Sequence, residues 1–332
     1  MNTTIMDVTL RDGSYEVGFN FTQHDVVAVG QKIKDSGIGY FEIGHGQGLN
    51  ASSPQHGVAT CTDEEYLAAA CENLEGLKYG TFCIPGIARV ADLDLLRKYG
   101  AGFVRIGCNT DIDSVKKTRP FIERAKELGL EVFSNYMKTY IADDMTFLKC
   151  VELSTKFGAD NIVIVDSAGC MIPDEIKHYY DLARSITSFK KKIGFHGHDN
   201  LGLAVSNSLF ALEIGCDIVD TSLQSLGRGA GNASTEQLIA LLLRLEPQCR
   251  YTLGALMHFS EDYLRDRVKF KGVSGLDTYC GIAGFHSGFM NSIRKMASKF
   301  NVDPYDLIVE YCSFDRKSMD EAKLEQIAIR MQ

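Results

Sequence analysis

The sequence predicts an α/β fold, a (β/α)8 barrel with a small C-terminal helical domain, and three observations carry the prediction. Short β-branched runs alternate with longer amphipathic stretches, eight such pairs can be counted, and each pair occupies roughly 30 residues, the length of one βα unit with its return connection. Eight repeats of strand then helix close a parallel TIM (β/α)8 barrel, whereas a doubly wound open sheet usually has fewer strands and often a dinucleotide fingerprint. The 332-residue length fits one such barrel with a modest appendage.

The strand runs fall at residues 5–10, 40–43, 79–84, 103–106, 131–134, 162–165, 193–196 and 218–221, and helices fill the intervals. Thr22, with Asp25 three residues on, resembles a capping box that uses aspartate in place of glutamate. Gly37 closes that helix, and Pro173 opens another from a first-turn position. From about Lys271 the alternation stops and three helical patterns follow, at 284–300, 304–312 and 317–331. The expected division is a catalytic barrel over residues 1–270 and a helical domain over 271–332 that covers the barrel mouth.

Composition narrows the function classes. Hydrophobic residues make up 45% and charged residues 23%, the profile of a chain that folds throughout. The net charge of -8, with both signs interspersed, provides no basic stripe to track a phosphate backbone, so nucleic acid is not an expected partner. Ten scattered cysteines include no C-x-x-C pair and read as reduced thiols. Met1-Asn2-Thr3-Thr4 leads into an apolar run without a basic segment, and no apolar stretch reaches bilayer-spanning length, so the expected location is the cytoplasm.

Barrel enzymes keep their chemistry at the C-terminal ends of the strands. Here the first strand run leads into Thr9-Leu10-Arg11-Asp12-Gly13, and the seventh into Phe195-His196-Gly197-His198-Asp199-Asn200. Two histidines at i and i+2 on an extended chain face the same way with Cα atoms about 6.5 Å apart, so both imidazoles reach one ion. In a closed barrel only strand eight separates strands one and seven, which brings Asp12 across the mouth. Asp12, His196 and His198 then offer two neutral nitrogens and a carboxylate to a divalent cation and leave positions for substrate oxygens. A lone histidine in a barrel is more often a hydrogen-bonded core group, and R-D-G occurs by chance in many chains. The combination, at strand ends that closure makes neighbours, favours the metal centre.

Other signals admit two readings. The glycine-rich loop 227–232 follows strand eight, where many barrels bind phosphate, and a tight βα turn explains the same glycines. Glu42 is placed to orient Arg11 through a carboxylate–guanidinium pair, or simply to close a local ion pair. His45 and His56 lie in a polar loop at the mouth.

The run Asp7-Val8-Thr9-Leu10-Arg11-Asp12-Gly13, the His196-Gly197-His198-Asp199-Asn200 motif and Gly227-Arg228-Gly229-Ala230-Gly231-Asn232 resemble the DRE-TIM metallolyase superfamily. That superfamily includes 3-hydroxy-3-methylglutaryl-CoA lyase and the isopropylmalate and homocitrate synthases. Gly44-His45-Gly46-Gln47-Gly48-Leu49 with Ser52-Ser53, Pro85-Gly86-Ile87, Asp166-Ser167-Ala168-Gly169 and Gly281-Ile282-Ala283-Gly284-Phe285 are most similar to the 4-hydroxy-2-oxovalerate aldolases, over nearly the whole chain. The resemblance implies a lyase that cleaves a 4-hydroxy-2-oxo acid to pyruvate and an aldehyde through a metal-stabilised enolate. It implies that Asp12, His196 and His198 bind the cation, with Asn232 as an outer or additional ligand, and that Arg11 faces the keto oxygen. Glu42, His45, Ser167 and Asn232 are the expected substrate-binding residues. Mn²⁺ is the first choice of metal, with Mg²⁺, Co²⁺ and, on affinity order, Zn²⁺ open. A homo-oligomer is expected, and the family's helical tail implies docking of an acylating aldehyde dehydrogenase. Two alternatives stand beside the aldolase: an acyl-CoA Claisen condensing enzyme or hydroxyacyl-CoA lyase of the same superfamily, and a non-catalytic partner subunit.

The chain departs from the aldolase pattern at two positions. The aldolases carry a histidine three residues after the metal-binding aspartate, as base on the substrate hydroxyl, where this chain has Tyr15. They carry a tyrosine two residues after the second glycine of a C-terminal G-x-A-G, where this chain has His286. The exchange keeps the pair and moves the imidazole across the site. His286, near a helix N-terminus that lowers imidazole pKa, is then the expected base, with Tyr15 donating to the same hydroxyl or holding the ring.

Overall fold

The computed structural model describes residues 3–188, 190–268 and 275–332. Eight parallel strands close a barrel in sequence order: β1 Thr4–Asp7, β2 Tyr40–Glu42, β3 Lys78–Cys83, β4 Phe103–Asn109, β5 Glu131–Met137, β6 Asn161–Asp166, β7 Lys192–Gly197 and β8 Ile218–Thr221. Closure is made by β1 against β8, with Asp7 opposite Thr221. Helices α1 Gln23–Asp35, α2 Asp63–Asn73, α3 Asp94–Lys98, α4 Ile112–Glu127, α5 Asp144–Phe157, α6 Pro173–Thr187, α7 Ala204–Glu213 and α8 Thr235–Leu245 alternate with the strands. The Thr22–Asp25 capping box forms in both directions, Gly37 takes φ +85° after α1, and Pro173 opens α6 at its first turn. Among the described residues no helix is long and apolar enough to cross a membrane.

The barrel interior changes character along the strands. Its lower layer is apolar: Met6, Phe103, Phe133, Val163 and Ile218 with Tyr40, whose ring and those of Phe103 and Phe133 lie with centroids 5.6–6.0 Å apart. Because side chains repeat every second residue, one repeat further along β2, β4, β5 and β8 faces the same interior. There the residues are Glu42, Arg105, Asn135 and Asp220, all buried. A packed hydrocarbon plug therefore supports a charged layer at the C-terminal end, where barrels hold their chemistry.

Strand β1 is shorter than the run at 5–10 suggests, and the reason is local. Val8 N–H makes the last ladder bond, to the Thr221 carbonyl at 2.8 Å, while the Asp7 carboxylate captures the Thr9 N–H and hydroxyl at 3.0 and 2.8 Å. The chain then turns tightly, with the N–H groups of Arg11 and Asp12 both donating to the Val8 carbonyl, and Asp12 opens a one-turn 3₁₀ helix, Asp12–Tyr15.

Beyond α8 the chain adds α9 Gly254–Phe259, a π turn at Ser260–Leu264 and a 3₁₀ turn at Arg265–Arg267, none of which the strand–helix count foresees. They return to the barrel, where Tyr263 Oη and Arg267 Nη1 each donate to Asp25 at 2.7 Å. The expected boundary at Lys271 lies outside the described residues. The tail holds one more helix than the three patterns: α10 Gly275–Ala283, then α11 Met290–Phe300, α12 Pro304–Phe314 and α13 Glu321–Arg330. The helical pattern at 284–300 is split, because Gly284 ends α10 at φ +63° and His286 caps a 3₁₀ turn at Ser287–Phe289 that runs into α11. These helices bury a core of their own around Phe285, Ile293, Leu307, Tyr311 and Leu324. They meet the barrel through specific contacts: Asn200 Nδ2 donates to the Asp277 carbonyl at 3.0 Å and Lys138 Nζ to the Lys317 carbonyl at 2.5 Å.

The loop after β2 tolerates no side chain at Gly48, which sits at φ +86° and whose Cβ would stand 2.0 Å from the Phe82 carbonyl oxygen. Gly48→Ala should therefore cost about 2–4 kcal/mol, combining left-handed strain with backbone displacement. Denaturant unfolding checks it, and a loss below about 0.5 kcal/mol would show that the loop is not anchored on β3.

Candidate metal centre and active site

The site rests on Arg105, which is fully buried at the middle of the charged layer. Its Nη1 donates to Glu42 Oε2 at 3.1 Å, its Nη2 to Asp220 Oδ2, and its Nε to Asn135 Oδ1 at 3.3 Å. Each carboxylate passes the link on. Glu42 Oε2 also accepts from Arg11 Nε at 2.7 Å, and Asp220 Oδ2 contacts His196 Nδ1 at 2.9 Å. Burial pushes the Asp220 carboxyl up, but the Arg105 charge and the bond to His196 outweigh it and keep the group below the usual carboxylate range. An ionised Asp220 accepts a hydrogen bond from Nδ1–H of His196, the tautomer that leaves Nε2 of that ring with its lone pair.

His198 is prepared in the same way. It stands just past β7, bridged to Asn232, and its Nδ1 lies 3.2 Å from the Gly231 carbonyl, which can only accept. Burial first, opposed by Asp12, lowers the His198 pKa to about 4, so the ring is neutral near pH 7. The two Nε2 atoms thus face each other at 3.4 Å with both lone pairs directed inward. Asp12 Oδ2 lies 3.9 Å from His198 Nε2, and one ligand atom from each of Asp12, His196 and His198 falls within 4.8 Å of the others. Burial opposes ionisation of Asp12, but the Arg11 charge overrides it and holds the carboxyl well below its ordinary value. Two unprotonated nitrogens in contact repel unless a cation sits between them. The donor set fits a divalent metal, and the buried Asn232 Oδ1 has no partner among the described residues. Asn232 is tied in through Nδ2, which donates to Asp12 Oδ2 at 2.8 Å and the Leu226 carbonyl at 3.1 Å.

A cavity of about 1140 Å³ opens above these ligands. Arg11 lines it, stacked 4.8 Å over the Phe82 ring; with Nε on Glu42 and Nη1 on Asp12 at 2.6 Å, its Nη2 has no partner among the described residues. Tyr15, Ser167 and His286 also line the cavity, so residues from β1, β6 and the tail converge. Tyr15 and His286 do not meet each other directly. Arg228 lies between them, its guanidinium 4.0 Å over the Tyr15 ring and its Nη1 3.1 Å from His286 Nε2. The His286 pKa is driven well below normal by burial and by the Arg228 and Lys138 charges, rather than by a helix terminus. Glu42 is fully buried and reaches the cavity only through Arg11, which matches the orienting role and not substrate contact. His45 is also set apart: its Nε2 contacts the Gly57 carbonyl at 3.1 Å, its Nδ1 accepts from Gln47 N–H at 3.1 Å, and its ring stacks on Phe19. His56 of the same loop does line the cavity.

Four residues of the site escape a reading by motif: Arg105, Asp220, Arg228 and Lys138. Lys138 sits after β5 at φ +60°, lines the cavity, and has its pKa lowered to about 8, chiefly by burial. The phase of β4 and β8 was the available signal for the first two, because Phe103 and Ile218 point into the barrel and every second residue follows.

A closed barrel carrying an Asp-His-His centre at its C-terminal mouth defines a metal-assisted enzyme of the (β/α)8 class. The chain belongs to the HMGL-like family, which matches residues 2–262. It is similar to the 4-hydroxy-2-oxovalerate aldolase of Carboxydothermus hydrogenoformans, 34% identical over 92% of this chain and 90% of that one. The enzyme of the same name from Geobacillus stearothermophilus is 32% identical over 98% of this chain and 95% of its own. Among solved structures, the N-terminal domain of a putative aldolase from Bacteroides vulgatus superposes with a TM-score of 0.73 at 22% identity, covering 94% of this chain and 97% of that domain; it bears on the fold alone.

Asp220→Asn should weaken Mn²⁺ binding by roughly 10–100-fold, because the amide no longer selects the His196 tautomer. Equilibrium dialysis measures the effect, with far-UV circular dichroism showing that the barrel persists. Unchanged affinity in a folded variant would remove Asp220 from the metal centre.

Proposed function

We propose that this protein is a divalent-metal-dependent aldolase, a carbon–carbon lyase that cleaves a 4-hydroxy-2-oxo acid to pyruvate and an aldehyde. One observation carries the reading: the Nε2 atoms of His196 and His198, 3.4 Å apart, and the Asp12 carboxylate stand beside a guanidinium whose Nη2 has no partner among the described residues. A divalent ion held by Asp12, His196 and His198, manganese being the best match to mixed nitrogen and oxygen donors, supplies Lewis acidity toward the carboxylate and ketone oxygens of a 2-oxo acid.

The chain's own residues supply the rest. Arg11, pinned by Glu42 and Asp12, offers its Nη2 to the ketone oxygen, where negative charge accumulates as the C3–C4 bond breaks. Its geometry is set before substrate arrives, so no reorganisation is needed when the charge develops. His286, neutral at pH 7, takes the proton of the 4-hydroxyl, the C4–O bond becomes the aldehyde carbonyl, and the C3–C4 electron pair passes into the enolate. The imidazolium so formed gives its proton up to solvent, and the enolate takes a proton at C3 from water in the open cavity, giving pyruvate. Tyr15 lines the cavity on the far side of Arg228 from His286, and Ser167 is assigned to the oxo-acid end.

Enolisation needs Arg11 and the metal centre, whereas cleavage also needs the base. With metal-loaded protein, pyruvate methyl protons should exchange in D₂O. His286→Ala should lose at least about 100-fold in cleavage and keep part of this exchange, and Tyr15→Phe should do less damage. Absence of exchange, together with turnover of acetyl-CoA, would instead establish the condensing enzyme.

Arg11→Lys should lower kcat by about 100-fold or more with little change in KM, since an ammonium cannot satisfy Glu42, Asp12 and the ketone oxygen at once. An unchanged kcat with raised KM would make Arg11 a carboxylate anchor.

A further inference from the structure

The wall around His286 carries positive charge that the proposed cleavage does not use. Arg228 makes no ion pair with a described carboxylate; it stacks on the Tyr15 ring and faces a neutral imidazole, and the Asp12 charge, already paired with Arg11, reaches it only at a distance. Lys138 Nζ bonds the Lys317 carbonyl, lies 5.1 Å over the Phe289 ring and has its charge offset in part by Asp315. Arg294 of α11 lines the same cavity with no hydrogen bond or ion pair among the described residues. Arg89, Arg119, Arg124, Arg184 and Arg267 each hold a carboxylate, whereas Arg250, which holds none, is tied to the Thr3 carbonyl and the Tyr251 hydroxyl and lies outside this cavity.

The carboxylates lining the cavity are Asp12, Glu16 and Asp277, and Asp12 is already paired with Arg11. With a divalent ion at the triad, the lining carries a surplus of positive charge. A half-buried guanidinium without an anion is costly to keep, and it is the group best suited to a planar or tetrahedral oxyanion. The volume agrees. About 1140 Å³ lies at or above the upper end of ordinary ligand pockets, far beyond what pyruvate and a two-carbon aldehyde fill.

Resting on the aldolase reading, we propose that the aldehyde half of the substrate bears an anionic group, a carboxylate or a phosphate, seated on Arg228 with Lys138 and Arg294 around it. The oxo-acid end occupies the metal centre and Arg11, the scissile C3–C4 bond lies under His286, and the far end meets the cationic wall. Substrate selection is then made at both ends by charge and in the middle by the base.

The test is condensation of pyruvate with matched aldehydes by the metal-loaded enzyme: succinic semialdehyde against pentanal, and glyceraldehyde 3-phosphate against glyceraldehyde. At least one charged member should exceed its neutral partner in kcat/KM by tenfold or more, and the pair that shows it identifies the carboxylate or the phosphate. In Arg228→Gln that preference should collapse to within about threefold of unity whatever the absolute rate, and Arg294→Gln, on an exposed helix face, should reduce it in part. Equal or better use of the neutral aldehydes overturns the inference, as does a preference that survives in both variants. Pyruvate exchange in D₂O separates the two levels. Exchange without anion preference sinks this inference alone, and no exchange sinks the aldolase reading with it.

Discussion

One buried guanidinium organises the catalytic end of this barrel. Arg105 has no exposure, and it joins Glu42 from β2 to Asp220 from β8 across the interior. Each of those carboxylates sets a working residue: Glu42 fixes Arg11, and Asp220 fixes the tautomer of His196. Removing one partner from such a network costs about 3–5 kcal/mol, since an uncompensated charge is left in a low-dielectric interior. The same coupling keeps the orienting groups at definite positions without any contact with substrate. The apolar plug of Phe103, Phe133 and Ile218 below it excludes water, which strengthens every charge interaction in the layer.

Charge accounting explains why the layer calls for a cation at its rim. Arg11 and Arg105 are offset by Glu42, Asp220 and Asp12, which leaves one negative charge in excess when both histidines are neutral. Both histidines donate from Nδ1 to fixed acceptors, so neither can turn its Nε2 away. The arrangement therefore suits a positive centre, and the bond from Asn232 holds Asp12 in place.

The eight-stranded barrel was legible in its period-2 runs, and the grouping of Asp12 with His196 and His198 followed from their places at strand ends that barrel closure makes neighbours. What was not legible depends on contacts between distant segments. Arg105 lies 115 residues from Asp220 and reads, in Phe103-Val104-Arg105-Ile106, as an ordinary charged residue in a strand. Arg228 sits among glycines that a turn already explains, and only the fold brings it between Tyr15 and His286. Helix α10 was missed because the tail sequence around Gly281 and Gly284 reads as a breaker. In the structure Gly281 admits Leu201, whose side chain would lie 2.6 Å from a Cβ there, and that close approach seats the tail on the loop after β7. His45 is the opposite case: a histidine in a polar loop near a metal site draws attention, yet both its nitrogens are spent on holding the loop.

The exchanged pair acquires a physical sense from Arg228. A histidine beside a lysine and a guanidinium that pairs with no described carboxylate stays neutral, and as the proposed base it would work against the same field. An anion on Arg228 would offset much of that field, raising the proton affinity of His286 when the full substrate is in place. Pyruvate alone, bound at the metal centre, leaves the wall uncompensated and the imidazole reluctant to take a proton. The base would then be competent chiefly for substrates long enough and negative enough to span both ends of the cavity, so recognition of the remote group and activation of the base become one electrostatic event.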